Sequence, residues 1–263
     1  MTREKLEQQI EMVADLISKS ERIMVFTGAG VSTESGIPDF RGPGGIWTKY
    51  DPEDFTIQKY LSSKEIRKTN WRMLTDGEFM LIGAKPNPAH FAIADLEKMG
   101  RLYCVITQNV DGLHQKAGVP EEKVFQLHGD MSHAKCMKCG KRYPMDEITE
   151  RIGQGIEDPE CPNCGGILKP DAVFFGEQLP MDVMMESERR SRNCDLCLVL
   201  GSSLVVYPAA LMPVYASESG AKVIIINVGP TEMDHIASIR IDAKAGEVAP
   251  RIIAVAKEKL SKK

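Results

Sequence analysis

Apolar positions along the chain follow two alternating patterns. Across residues 3–19, Leu6, Ile10, Val13 and Ile17 recur at helical spacing and predict an amphipathic helix. The next apolar residues form an unbroken run, Ile23-Met24-Val25-Phe26, that stops at Thr27-Gly28. Such a run suits a strand buried on both faces. The unit recurs: Val105-Ile106 leads into Thr107-Gln108-Asn109-Val110-Asp111, Leu196–Leu200 into Gly201-Ser202-Ser203, and Val223–Ile226 into Asn227-Val228-Gly229. Residues 86–99 predict a helix with proline near its start. Residues 246–260 place Val248, Ile252 and Val255 on one face of a last helix.

Apolar strands separated by helix-length stretches predict an α/β fold, a Rossmann-like doubly wound parallel sheet with helices on both faces. Ligands bind such sheets beyond the carboxyl ends of the strands, so the four polar clusters are expected to line one crevice. Two stretches break the alternation: residues 43–84, rich in turns and aromatics, and residues 131–170, which carry four cysteines. They predict a smaller inserted domain, a helical module plus a cysteine ribbon. Residues 1–42, 85–130 and 171–263 remain for the sheet domain.

Composition narrows the function classes. The 263 residues carry a net charge of −4, which disfavours a nucleic-acid groove. No apolar run approaches the ~18 residues that a membrane helix needs. The N-terminal MTREKLEQQIEMV is charged and lacks the apolar centre of a secretory signal. A cytoplasmic location without membrane contact is the expectation.

Six of the seven cysteines form C-x-x-C pairs. "CMKCG" and "CPNCGG" supply Cys136, Cys139, Cys161 and Cys164, with 21 residues between the pairs. Four thiolates fill a tetrahedral zinc shell and leave no open position, so one structural Zn2+ ion is expected. Its binding contributes about 10–16 kcal/mol toward folding the insert. Residues 131–170 balance six basic against six acidic side chains, which speaks against a phosphate-binding face. Cys194 and Cys197 lead into an apolar strand and read as core residues rather than a redox dithiol. Cys104, inside "LYCVIT", reads as core as well.

"GAGVSTESGIPDFRG", Gly28 to Gly42, follows the first strand. Gly28-Ala29-Gly30 suits a tight turn that lets backbone approach a pyrophosphate. Thr33 stands where a dehydrogenase loop carries its third glycine. Asp39 and Arg41 are either a surface ion pair or ligand contacts.

In order, "GAGVSTESGIPDFRG", "TQNVDGLH", "FQLHG", the cysteine knuckles, "FFGE", "GSSLVVYP" and "INVGP" resemble the sirtuins, the NAD-dependent protein lysine deacylases, from about Ile23 to Pro250. The resemblance implies that NAD is cut between nicotinamide and ribose. The acyl group of an acyl-lysine is carried off as O-acyl-ADP-ribose. His128 matches the family's catalytic general base, and Asn109 and Asp111 match residues that hold the nicotinamide ribose and carboxamide. Cofactor contacts are implied for Gly28, Ala29, Gly30, Ser32, Thr33, Ile37, Asp39, Phe40, Arg41, Gln108 and Val110. They are also implied for Gly201, Ser202, Ser203, Asn227, Val228, Gly229 and Ala245. Phe40 matches the aromatic that covers the reacting sugar. Val173, Phe174, Phe175, Gly176 and Glu177 match the strand that adds to an extended peptide substrate. His90, His114, His133 and His235 receive no catalytic role, although His114 is placed to support the turn after the second strand.

The sirtuin branch that prefers acidic acyl groups carries a Tyr-x-x-Arg pair. Here Tyr60 is followed by Ser63 three positions on, and residues 55–85 hold no such pair. Acetyl or longer apolar acyl groups are therefore expected. The implied partners are acyl-lysine proteins or peptides, with the chain acting as a monomer. An ADP-ribosyltransferase on the same scaffold is the first rival reading. A silent NAD-binding adaptor and a hydride-transferring dehydrogenase follow it.

Overall fold

The computed structural model describes residues 2–76 and 83–262. Residues 77–82 of the predicted 43–84 insert lie outside the described residues, as do Met1 and Lys263. The chain opens with α1 (Arg3–Lys19), which buries Ile10, Val13 and Ile17 and half-buries Leu6. β1 (Ile23–Thr27) is buried at every position. α2 (Ile57–Ser62) and α3 (Lys64–Thr75) follow an irregular stretch. α4 (Pro88–Lys98) starts at the predicted proline behind an Asn87 cap. Then come β2 (Leu102–Thr107), α5 (Leu113–Lys116) and β3 (Val124–Gln126). The insert contributes β4 (Gly129–Cys136), β5 (Arg142–Pro144), α6 (Met145–Gly153) and β6 (Leu168–Ala172). The chain ends with α7 (Met181–Asn193), β7 (Leu196–Leu200), α8 (Leu211–Glu218), β8 (Lys222–Ile226), β9 (Ile239–Ile241) and α9 (Ala245–Ser261).

Among the described residues the large sheet has six parallel strands in the order β3-β2-β1-β7-β8-β9. Successive strand residues face opposite sides. Ile23 and Val25 therefore join one core with α1, α4 and α9, while Met24 and Phe26 join another with α7 and α8. The chain leaves β1 in one direction across the sheet and β7 in the other. The crevice beyond the carboxyl ends of those two strands is the switch point at which such folds take ligands. The short strands β3 and β9 were not legible in the hydrophobic pattern; each is three residues long and lies at an edge.

A second, antiparallel sheet has the order β5-β4-β6 and spans Gly129 to Ala172, where the sequence suggested 131–170. Its core joins Trp71 and Leu74 of α3 to Ala134, Tyr143, Ile148 and Leu168. Arg67 clasps Asp158 across the two segments, with Nε–Oδ1 at 3.0 Å and Nη2–Oδ2 at 2.9 Å. No helix among the described residues is long and apolar enough to cross a membrane.

Candidate active site

The glycine loop leaves β1 and packs directly on the turn after β7. Gly30 N donates to Gly201 O at 2.9 Å, and a Cβ on Gly30 would lie 2.8 Å from that oxygen. Gly201 itself has φ 61°, and a Cβ there would meet the backbone of Gly30 and Val31. Two short 3₁₀ turns, Ala29–Val31 and Thr33–Ser35, follow the loop instead of an α-helix. The third glycine of a dehydrogenase loop serves close helix–strand packing. With no α-helix starting here, Thr33 takes that place without conflict.

The polar clusters after β1, β2 and β7 converge. Ser32, 1% exposed, donates from Oγ to Asp111 Oδ2 at 2.7 Å and accepts from Asn109 Nδ2 at 3.1 Å. Asn109 Nδ2 also reaches Gly28 O at 3.2 Å, and Asp111 Oδ1 accepts from Leu113 N at 2.9 Å. Gln108 Nε2 donates to Ser202 Oγ at 3.0 Å, joining the β2 turn to the β7 turn.

His128 follows β3, and its Nδ1 lies 3.0 Å from Gln108 O. A carbonyl only accepts, so Nδ1 carries the hydrogen and Nε2 of the neutral ring is a bare acceptor. Burial lowers the pKa of His128, opposed by the bond to the Gln108 carbonyl. A neutral imidazole with a fixed tautomer and an unoccupied Nε2 can take a proton.

Two further histidines lie behind the cluster. His90 Nδ1 accepts from Asn87 N at 3.3 Å, and His114 Nε2 lies 2.9 Å from Thr27 Oγ1; their rings are 5.0 Å apart. Burial lowers His90 to about 4 and His114 to about 3. His114 thus supports the end of β1 as a neutral buried group.

Asp39 accepts from Gly42 N at 2.8 Å. Arg41 is exposed and has no hydrogen-bond partner among the described residues. Phe40 stacks on Trp47 at 5.2 Å, and Trp47 contacts Phe55 at 5.1 Å and Phe175 at 5.9 Å. Trp47 and Phe55 were not singled out from the sequence. The signal was the aromatic density of the insert, which says nothing of what the rings touch.

At the far side of the crevice, Asn227 Nδ2 turns onto its own loop, 2.9 Å from Val228 O and 3.2 Å from Gly229 O. Ala245 is buried at the start of α9, where Gly246 N donates to Glu34 Oε2 at 2.9 Å. Ile37 is buried, whereas Thr33 is exposed and bonds Gly30 O at 3.0 Å.

One expectation is corrected. Val173–Glu177 is not a strand: β6 ends at Ala172, and only Phe175 forms an isolated bridge, to Thr56. The cause is local bonding. Phe174 N donates to Glu177 Oε2 at 2.7 Å, Glu177 N returns to Phe174 O at 3.0 Å, and Gly176 has φ 84°. These contacts close a turn. Val173 N is held by His128 O at 2.8 Å, while Phe55 O and Ile57 N hold Phe175.

The cysteine ribbon forms as predicted. Cys136 Sγ lies 3.5 Å from Cys164 Sγ, Cys139 Sγ lies 3.8 Å from Cys161 Sγ, and all four sulfurs fall within 4.8 Å of one another. A tetrahedron with Zn–S near 2.3 Å has edges of about 3.8 Å, so the cluster fits zinc with no coordination site left over. Cys104, Cys194 and Cys197 are buried and unbridged, and burial pushes their thiols up, Cys194 to about 12. They are core residues.

The family model described as "Sir2 family" matches residues 28–208, more than half of the chain. The chain belongs to the Sir2 family. This sirtuin is similar over more than nine tenths of its length to curated relatives. An NAD-dependent protein deacylase 2 of Archaeoglobus fulgidus is 44% identical, over 98% of this chain and 100% of the relative. An NAD-dependent protein deacetylase of Thermotoga maritima is 42% identical, over 91% of this chain and 95% of the relative. Among solved structures, a Sir2 protein with a p53 peptide and NAD+ superposes with a TM-score of 0.84 at 39% identity, covering 93% of this chain and 97% of that one. Another, Sir2Af2 bound to a myristoylated histone peptide, superposes at 0.81 with 39% identity, covering 98% of this chain and 100% of that one.

Proposed function

We propose that this sirtuin is an NAD-dependent protein lysine deacylase acting on acetyl or longer apolar acyl groups. The observation that carries the reading is His128. Its bare Nε2 is fixed by the Gln108 carbonyl, beside the Ser32–Asn109–Asp111 cluster that closes the carboxyl end of β1. NAD supplies the ADP-ribose that accepts the acyl group and the nicotinamide that departs.

The residues present fit that cofactor. Gly28, Ala29 and Gly30 let the loop backbone run close to a pyrophosphate, with Ser202, Ser203 and Gly201 on the facing turn. Arg41, without a partner among the described residues, is available for a phosphate. Asp111 is a carboxylate acceptor for the nicotinamide amide, with Ser32 fixing its rotamer. Asn109 and Gln108 orient the adjoining ribose, and Val110 and Ile37 form apolar walls. Asn227, Val228, Gly229 and Ala245 hold the adenosine end, and Asp39 shapes the loop that presents Phe40. His128 Nε2 takes the ribose hydroxyl proton as general base.

The turn at 173–177 presents Val173 O and Gly176 N, which make no hydrogen bond among the described residues, to the backbone of an acyl-lysine peptide. Phe40, Trp47 and Phe175 supply the apolar surroundings of the acyl chain. Tyr60 supports the exclusion of acidic acyl groups: it is fully buried and donates to Leu168 O at 2.8 Å, so its hydroxyl is engaged. The core of the insert, separate from the two that flank the large sheet, supports dividing the chain into a sheet domain and a smaller domain built from 43–84 and 131–170. We take the acting species to be a cytoplasmic monomer that needs neither nucleic acid nor membrane. The balanced charge of the ribbon speaks against a nucleic-acid face, and the unbridged cysteines fit a reducing compartment.

The test is nicotinamide release from NAD with and without an acetyl-lysine peptide, for wild type and His128→Ala. Release that requires the peptide, with matching loss of acetyl and a drop of about 10²-fold or more in the variant, is the expected result. Gain of ADP-ribose on the protein instead of acetyl loss overturns the reading. Burial holds the His128 pKa below 6.5, so the base stays competent throughout neutral pH. The acid limb of kcat/KM should lie below pH 6.5; a midpoint above it contradicts the assignment.

A further inference from the structure

Lys169 is the only lysine, arginine, aspartate or glutamate that is fully buried among the described residues, at 4% exposure. It sits in β6, four residues before the peptide-facing turn. Its Nζ lies 3.0 Å from Pro170 O, 2.5 Å from Ala172 O and 2.9 Å from Glu177 Oε2, and 4.6 Å over the Phe174 ring. Glu177 Oε2 accepts in turn from Phe174 N. One ammonium therefore ties the last carbonyls of a strand to the side chain that closes the following turn.

Burying an ion pair carries a desolvation penalty that often matches its Coulomb gain, so stability alone gives little reason to keep it. Its geometric effect is specific. With Phe174 N held by Glu177, Val173 N by His128 O and Phe175 by Phe55 and Ile57, Val173 O and Gly176 N are left for a ligand. Without the ammonium, Glu177 would lose its partner and turn toward water. The Phe174 amide would be freed, and the turn would lose its closure.

We propose that Lys169, acting through Glu177, is a positioning residue for the acyl-lysine peptide: it selects which backbone groups of 173–177 meet the substrate. This rests on the deacylase reading. The carboxylate of Glu177 is held from inside by the lysine and is not offered to the peptide. A basic peptide flank gains nothing from it, and recognition stays with the main chain.

Steady-state kinetics on the full chain test the proposal. In Lys169→Met the KM for an acetyl-lysine peptide should rise about tenfold, while the KM for NAD and kcat at saturating peptide change by less than about threefold. Because Lys169→Met leaves the half-buried Glu177 carboxylate without its ion-pair partner, the double variant Lys169→Met/Glu177→Gln serves as the folded control. Its melting temperature should return to within about 4 °C of wild type. Its peptide KM should stay raised at least about fivefold, since the strand carbonyls still lack their donor. Lys169→Arg, which keeps the charge, should recover part of the loss. A wild-type peptide KM in the folded double variant overturns the proposal. So does a KM for NAD that rises in step with that for the peptide, which marks a merely structural role. If wild type shows no peptide-dependent nicotinamide release, the deacylase reading fails first and takes this one with it.

Discussion

Gly201 illustrates what single positions contribute. Its φ of 61° and the backbone of Gly30 and Val31 against its Cα leave no place for a side chain. The left-handed conformation alone costs an ordinary residue about 1–2 kcal/mol. Gly201→Ala should therefore lower the melting temperature by about 4 °C and, by pushing the loop at 28–30 off its seat, raise the KM for NAD roughly tenfold. Differential scanning fluorimetry and NAD titration check this; wild-type values for both would mean that the loop absorbs a Cβ. At this scale the sequence was informative wherever chemistry is written into residue type and order. His128, Asn109, Asp111 and Ser32 were singled out; the structure joins the last three and bonds His128 to the carbonyl of Gln108, the neighbour of Asn109. Lys169 and Trp47 were passed over. A lysine in an apolar flank and a tryptophan in a turn-rich stretch look ordinary until their contacts are known.

Between elements, the small domain is held by a few long-range links. α3 buries Trp71 against the same core as Cys136 and Cys161, and the Arg67–Asp158 pair joins α3 to the ribbon. Zinc is the remaining support. Chelation, or Cys136→Ser, should release one zinc per chain, loosen the ribbon and expose Trp71, shifting tryptophan emission to the red. One zinc retained in Cys136→Ser, or unchanged emission after chelation, contradicts the ligand set. The segment 173–177 teaches the opposite lesson about elements. The resemblance to the sirtuins made it a strand, but a side-chain carboxylate and a left-handed glycine close it into a turn. Hydrophobic pattern does not register a bond from Glu177 back to the Phe174 amide.

For the whole molecule, the neutral buried histidines set a pH limit. His90 and His114 have folded pKa values of about 4 and about 3, below the ordinary 6.5. The unfolded chain therefore binds protons that the folded chain refuses as pH falls below 6.5. Their contribution is fully present above that value and is lost on acidification, at up to roughly 1.4 kcal/mol per histidine per pH unit. Urea midpoints should be flat from pH 8 to 7 and fall steeply between pH 6 and 4, and His114→Asn should flatten that fall; an unchanged slope would show that the carboxylates dominate instead. The sequence by itself determined the alternation of strand and helix, the crevice at the strand ends, the four zinc ligands and the family. The first three follow from residue type, period and spacing along the chain, and the family from the resemblance of its ordered motifs. Only the tertiary structure decided which nitrogen of His128 is bare, how Ser32 locks Asp111, that Phe40 reaches Phe175 through Trp47, and that a buried lysine is paired with Glu177. Each of these depends on a distance between residues separated in the chain, and such distances exist only once the strands have paired.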